Sequence, residues 1–448
     1  MTQLHSYFGL WTKENDLPTI KQMPRSKVTV RNQLPHHFVQ GSAPALYYGP
    51  GSISALGDII GKIAPSGGVL LITGKSAFEP HGFGPRLFTL LEERGYRVVA
   101  KRAHGEPSPH DVDEIVLSTR EELGGDAEVV VAVGGGSVMD SGKAAAAAFR
   151  EEGSIKEYLE GVGGKKPRGK RLPLVAASTT AGTGSEATKN AVLSEVGEHG
   201  YKKSLRHDAF VPDVAIIDPE LHLSTPASVT AASGLDAVTQ LLEAYVSTKA
   251  TPFTDVYCEM GLTEAAWAFP RTLSDPKDPE ARGAMAMAAY LSGLSLATAG
   301  LGLVHGAASA LGGAREIPHG VVCGTLLGSV TRRSVAYLFE AEGLAEELGE
   351  PKPTGLSLVE SGDRDGSRRK YADAGRILTG NGDLAEREGC IALVSWIEEM
   401  LSSASVARLG EFGFQGEELD SLARSCGNKN QPVGFSSAAV AETLKERL

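Results

Sequence analysis

Residues 128–143 read EVVVAVGGGSVMDSGK. The opening run, 128–133, is short and apolar, as a buried strand is. Gly134, Gly135, Gly136 and Ser137 follow at once. Val138 to Lys143 then open a helical stretch that continues through the alanines at 144–148. A strand, a glycine turn and a helix start, in that order, suit an anion. Glycine lets the backbone approach a ligand closely. The first helical turn offers free N–H groups and a partial positive charge. The pattern is neither GxGxxG nor a P-loop, and a plain tight turn is the other reading of three glycines alone.

Outward from this turn, the first half alternates strand and helix signals. Apolar runs at 69–73, 97–100, 172–177 and 214–217 read as buried strands. Helical stretches lie at 87–94 and at 111–123, the latter after Ser108-Pro109, a cap and first-turn signal. Such alternation predicts a parallel sheet with helices on both faces. The run at 172–177 leads into STTAGTGSE at 178–186. Hydroxyls and glycines at the carboxyl end of a strand suit a nucleotide crevice, because ligands bind there in open α/β sheets. After Asp218-Pro219 the strand signals stop. Helical stretches follow at 227–247, 254–268, 279–296, 305–311, 323–341 and 391–400, and residues 349–365 read as a surface loop. The expected organisation is an N-terminal extension (1–35), a Rossmann-like dinucleotide-binding domain (36–218) and a helical metal-binding domain (219–448).

The bulk composition fits this. Of 448 residues, 42% are hydrophobic and 22% charged, so a large core is available; the net charge is −11, which argues against a nucleic-acid partner. The densest basic run, 165–171, is broken by Pro167 and Gly169 and reads as a solvated loop. Four cysteines, 258, 323, 390 and 426, show no CxxC spacing. That disfavours a thiolate zinc site and fits a reducing compartment, the cytoplasm. The N-terminal residues lack the apolar core of a signal peptide. Residues 283–304 carry no charge but are mostly small, which predicts a buried helix or helix pair rather than a membrane span.

The second half offers metal chemistry. Asp236 and Gln240 fall on one face of a helix. His305 and His319 are each followed by glycine. One carboxylate and two imidazoles suit Fe²⁺ or Zn²⁺, which would polarise an alcohol or carbonyl oxygen as a Lewis acid. Either histidine alone reads equally as a satisfied core residue.

Four stretches, GGGSVMDSGK at 134–143, TTAGTGSE at 179–186, DAVTQLLEAY at 236–245 and HGAASALGGAREIPHG at 305–320, resemble the signatures of iron-containing, group III, alcohol dehydrogenases. They occur in the family's order, and the likeness runs from about residue 36 to the end. The resemblance implies a dehydroquinate synthase-like fold that transfers hydride between NAD(P)(H) and a small alcohol or aldehyde. It implies that Gly135, Gly136 and Ser137 meet the pyrophosphate, with Asp140 and Lys143 in the same motif. Thr179, Thr180 and Thr183 would line the cofactor crevice. Asp236, His305 and His319 match three of four metal ligands, and the family suggests a homodimer or larger homo-oligomer.

Three departures stand out. The fourth ligand position, a histidine in the family, is Gln240. A further histidine of many members is replaced by Ser309, which leaves the general base unassigned. The place of a ribose-binding aspartate after the first strand is Gly74, followed by Lys75 and Ser76. Without the carboxylate, a 2′-phosphate meets no repulsion, so NADP is expected to be accepted beside NAD. The alternatives are a glycerol dehydrogenase-, maleylacetate reductase- or dehydroquinate synthase-like enzyme, or a non-catalytic nucleotide-binding relative without its metal. The dehydroquinate synthase-like reading needs basic residues at the pocket, and few lie near 305–320.

Overall fold

The computed structural model describes residues 39, 41–78, 82–197 and 200–448; the expected N-terminal extension lies outside them. Six parallel strands form the central sheet: β1 (Ala45–Tyr48), β2 (Gly68–Thr73), β3 (Arg97–Arg102), β4 (Val129–Gly134), β5 (Leu174–Ser178) and β8 (Val214–Ile217), in the order β1-β8-β5-β4-β2-β3. The intervening β6 (Asn190–Glu195) and β7 (Tyr201–Arg206) make a separate antiparallel hairpin. Every residue of β4 is buried, as expected for a central parallel strand covered on both faces.

Side-chain alternation divides the core. Val129, Val131 and Val133 of β4 pack with α1 (Leu56–Ile63) and α2 (Gly84–Glu92). Val130 and Ala132 pack with α3 (Pro109–Leu123) and α4 (Gly136–Ala148) on the other face. The start of α3 is fixed by Ser108, whose side chain accepts from the Asp111 N–H while Asp111 accepts from the Ser108 N–H, a reciprocal cap.

Pairing of Thr73 with Val133 and of Gly134 with Ser178 brings the loops after β2, β4 and β5 out at one sheet edge. The chain runs outward from β2 to β3, returns to β4 and then proceeds through β5 to β8. The gap between β2 and β4 is therefore the topological switch point, where such sheets bind ligands.

Beyond β8, Asp218 caps a single turn, α5 (Pro219–His222), and its two carboxylate oxygens also accept from the N–H groups of Gly51 and Ile53. A helical body follows: α6 (Ala227–Val246), α7 (Pro252–Ser274), α8 (Pro279–Ala299), α9 (Leu303–Ala314), α10 (His319–Leu338), α11 (Leu344–Glu347), α12 (Arg364–Thr379) and α13 (Glu386–Ala404). The uncharged segment 283–304 is divided between α8 and α9, which bend by 97°. Among the described residues no single helix is long and apolar enough to cross a membrane.

Several elements differ from the sequence reading. Strands β6 and β7 lack a continuous apolar run because an amphipathic hairpin buries only about half its side chains, while β1, ALYY, is a four-residue edge strand with no buried residue. Three residues of the expected loop 349–365, Leu356–Leu358, pair with Val433–Phe435. Helix α12 is mostly polar and carries no strong apolar run.

Helix α4 lies so close to the sheet that a Cβ on Gly142 would sit 2.6 Å from Cβ of Ala132. Gly142→Ala should therefore destabilise the fold by about 1–3 kcal/mol through overpacking. A thermal midpoint equal to that of the parent chain would contradict this close packing.

Candidate active site between the sheet edge and the helical body

A cavity of about 460 Å³ opens at the carboxyl edge of the sheet. It is lined by Gly136, Ser137 and Thr183 from the sheet side and by Gln240, His305 and His319 from the helices. The two groups of residues that the sequence suggested for different tasks thus face one space.

On the sheet side, Gly135 is the N-cap of α4 and Gly136 its first residue. A Cβ at Gly136 would lie 2.6 Å from Cγ2 of Thr183, and one at Gly135 would lie 3.1 Å from Oγ1 of Thr180. The glycines thus let the two small-residue loops touch. The Thr179 N–H donates to the Gly134 carbonyl at 2.9 Å, which ties the loops at their roots. Gly134 is buried, while Gly135, Gly136, Ser137, Thr179, Thr180 and Thr183 are partly open. Gly74 is partly open and Ser76 exposed at the neighbouring loop after β2.

Two motif residues hold the scaffold. Lys143, expected near the cofactor, is fully buried. Its ammonium donates to the Ser185 carbonyl at 3.0 Å and Thr188 Oγ1 at 2.9 Å, as well as to the Asn190 carbonyl, and lies 3.2 Å from Asp140. Burial pulls its pKa down and Asp140 opposes that pull. The side chain faces the β6–β7 hairpin because position 143 lies two turns into α4, beyond the helix start that meets the cavity. Asp140 accepts from Ser185 Oγ at 2.6 Å and the Val192 N–H at 3.0 Å, and it also lines the cavity.

On the helical side, α6, α9 and α10 bring Asp236, His305, His319 and Cys323 together, with one ligand atom of each within 4.8 Å of the others. His305 Nε2 is 3.3 Å and His319 Nε2 is 3.8 Å from Asp236 Oδ1. Cys323 Sγ is 3.7 Å from both Nε2 atoms. Asp236 Oδ1 is buried without a hydrogen-bond partner among the described residues. Donors around a four-coordinate zinc are separated by edges of about 3.3–3.6 Å. The cluster therefore fits a divalent cation, which would also satisfy the orphaned carboxylate oxygen.

Behind the cluster, Glu243 Oε2 accepts from His305 Nδ1 at 2.6 Å, and Oε1 accepts from the Val304 N–H at 2.7 Å. This carboxylate orients the ring so that Nε2 points at Asp236. Burial opposes charge on His305, but Cys323, Glu243 and Asp236 outweigh it and raise the ring's pKa well above its ordinary value. A cation binding here replaces a proton. Burial also pushes the Cys323 thiol up to about 12.

Gln240 lines the cavity, yet its amide is engaged elsewhere: Nε2 faces the Gly182 carbonyl at 3.4 Å and Oε1 accepts from Ser292 Oγ at 3.2 Å. Ser309 donates to the His305 carbonyl at 3.1 Å.

The sequence reading missed Glu243 and Cys323. Both carried a signal: Glu243 lies two turns after Asp236 on one helix, and Cys323 lies one turn after His319. The want of a CxxC pair disfavours a thiolate, yet folding sets this single cysteine beside the carboxylate and the imidazoles. All four cysteines are free. The expectation of few basic groups at the pocket also needs correction. The fold brings Lys189, Lys202, Arg206 and Lys429 to its wall. Lys202 pairs with Glu106, Lys189 with Asp208 at 2.7 Å, and Arg206 with Glu160 at 3.3 Å. These carboxylates reduce the attraction for an anionic substrate.

Comparison with known proteins agrees with this division of labour. Residues 43–219 match the family model for iron-containing alcohol dehydrogenase, and residues 230–448 match the C-terminal model of the same family. The chain is 31% identical over 390 residues to choline dehydrogenase of Bacillus subtilis, covering 86% of this chain and 88% of that protein. It is 32% identical over 324 residues to an NAD-dependent methanol dehydrogenase of Bacillus methanolicus, covering 72% and 82% respectively. Among solved structures, an alcohol dehydrogenase from Oenococcus oeni is 26% identical, with a TM-score of 0.76, over 92% of this chain and all of that one. With both halves matched in order and the glycine loops and the carboxylate–imidazole cluster opening on one cavity, the chain belongs to the iron-containing alcohol dehydrogenase family.

Proposed function

We propose that this chain is a metal-dependent alcohol dehydrogenase and aldehyde reductase that takes NADP or NAD and works on small, uncharged substrates in the cavity between the sheet edge and the helices. The observation that carries this reading is the shared cavity, with Gly136, Ser137 and Thr183 on one wall and His305 and His319 on the other. When bound, the nicotinamide carries the hydride and the cation supplies Lewis acidity to the substrate oxygen.

The chain's own residues hold, orient and shield. Gly135, Gly136 and Ser137 present the N-terminus of α4 to the pyrophosphate, where its partial positive charge is favourable. Thr183 lines the same crevice, while Thr180 packs against Gly135 and Thr179 ties the loop to Gly134 beside it. Asp236, His305 and His319 would hold the cation, and Glu243 keeps the His305 ring turned toward it. Burial of Asp236 and His305 excludes water, while His319 keeps 28% of its side chain exposed and marks the open side. Ser309 donates its proton to a backbone carbonyl, so it holds the turn of α9 and does not act as a base.

Purified protein should contain about one divalent cation per chain and oxidise NADPH or NADH with short aldehydes. His319→Ala should lose both the metal and at least about 100-fold of turnover, since even outer partners of a metal site contribute about 10–100-fold. Full activity in chelator-treated, metal-free protein would overturn the reading. Glu243→Gln should weaken metal binding by about 10–100-fold with the fold intact, measured by competition with a chromophoric chelator; an unchanged dissociation constant would remove Glu243 from its orienting role.

The loop after β2 carries no acidic side chain at Gly74, Lys75 or Ser76. NADPH should therefore be used at least as well as NADH. Gly74→Asp should shift the ratio of kcat/KM values toward NADH by about tenfold or more, roughly 1.4 kcal/mol of added repulsion at the 2′-phosphate. A parent enzyme with a clear NADH preference would contradict this assignment.

A further inference from the structure

Asp236, His305 and His319 leave a four-coordinate cation one place for substrate or water, as in catalytic sites, and one further place remains for a protein donor because such sites expand to five ligands. Two side chains compete for the remaining place: Gln240, one turn after Asp236 on α6, and Cys323, one turn after His319 on α10. We propose that Cys323, bound as a thiolate, is the fourth protein ligand and that Gln240 lies outside the metal's shell. This inference rests on the metal-site reading above and deepens it.

The geometry of Cys323 suits a shared ion better than a hydrogen bond. Its sulfur is equidistant, at 3.7 Å, from Nε2 of His305 and of His319. A thiol has one proton and can satisfy only one ring nitrogen. An S–N edge of about 3.6 Å follows from bond lengths near 2.3 and 2.0 Å around zinc, so the observed separations match two ligands of one cation. Cys323 is completely buried, and its side chain has the ring nitrogens and Asp236 as neighbours. Cation binding here releases the thiol proton to solvent, and the sulfur lone pair takes the place of the S–H bond.

Gln240 is committed elsewhere. Ser292 Oγ has one proton and lies 2.7 Å from the Ala289 carbonyl and 3.2 Å from Gln240 Oε1. The opposite end of the amide meets the Gly182 carbonyl. Rotating the amide by half a turn would set two carbonyl oxygens against each other. The orientation is therefore fixed by Nε2 on Gly182, with Oε1 turned toward Ser292, whose one proton it shares with the nearer Ala289 carbonyl. In this role Gln240 ties α6 to α8 and to the threonine-rich loop, and it borders the substrate space.

The donor set then becomes one carboxylate, two imidazoles and one thiolate. A thiolate is a soft ligand that favours zinc over harder ions such as magnesium or manganese. In this chain the expected resident cation is Zn²⁺, with Co²⁺ as a faithful spectroscopic substitute.

Zinc X-ray absorption on the parent chain loaded with one equivalent of Zn²⁺ tests this without any substitution. One sulfur scatterer at about 2.3 Å supports the proposal; a shell of nitrogen and oxygen alone overturns it. Loaded with Co²⁺, the parent chain should show a sulfur-to-cobalt charge-transfer band in the near ultraviolet. Cys323→Ala and Cys323→Ser should both lose the band and bind zinc at least about tenfold more weakly. Gln240→Ala should keep the band and bind zinc within about threefold of the parent, a change below 0.7 kcal/mol or so. Loss of the band in Gln240→Ala but not in the Cys323 variants overturns the inference. The metal-site reading fails separately, and the inference with it, if stoichiometric zinc or cobalt binding is unaffected by His319→Ala. Binding that His319→Ala abolishes, with no sulfur signal in the parent, sinks Cys323 alone.

Discussion

A carboxylate and two imidazole rings gathered in a dry interior form a costly arrangement unless a cation sits among them. Asp236 comes from α6, His305 from α9 and His319 from α10, so this one cluster dictates how three helices meet. The surrounding packing holds them in place. Thr239, beside Gln240, is fully buried and bonds within α6, and Glu243 joins α6 to the start of α9 through two short hydrogen bonds. In the absence of the ion the same atoms attract a proton, which explains why His305 is drawn toward its charged form.

The second constraint is the meeting of the two halves. Gly184 adopts a left-handed backbone with φ of +58°, and a Cβ there would lie 2.7 Å from Cα of Gly293 on α8. Two glycines thus allow the threonine-rich loop and a helix of the other half to pack backbone against backbone. Gly136 allows the same loop to reach the start of α4. Small residues at these contacts set the width of the cavity, and their replacement by larger ones would open or fill it.

The sheet was legible because a central parallel strand must be apolar along its whole length. The runs ending at Thr73, Val133, Ala177 and Ile217 could be located from composition alone, with glycine or serine after the first three and Asp218-Pro219 after the last marking their carboxyl ends. Strand β1 escaped because it is four residues long and lies open at the edge, and β6 and β7 because the hairpin alternates buried with open side chains. The site was legible through residue type and order: Asp236, His305 and His319 do converge. What the pattern could not convey is side-chain direction. Lys143 belongs to the glycine motif by spacing but points into the scaffold, and Gln240 sits at a ligand position but spends both ends of its amide on neighbours. Cys323 was passed over because thiolate sites are sought as pairs near in sequence, whereas folding supplies its companions from two other helices. The basic residues of the cavity wall come from the hairpin and from Lys429, far from the histidines in sequence.

The sharp bend between α8 and α9 rests on residues from the far end of the chain. The Asn430 N–H donates to the Leu301 carbonyl, the Lys429 ammonium donates to the His305 carbonyl at 3.0 Å, and the Gln431 side chain accepts from the Leu303 N–H. The corner that aims His305 is thus clamped by a segment more than a hundred residues further along the chain. The dinucleotide cradle is complete in the chain some two hundred residues earlier. The order of the chain consequently separates the two tasks: an emerging polypeptide has its nucleotide half well before it owns a finished seat for an ion, and one cut short before residue 429 would carry the first without the clamp on the second.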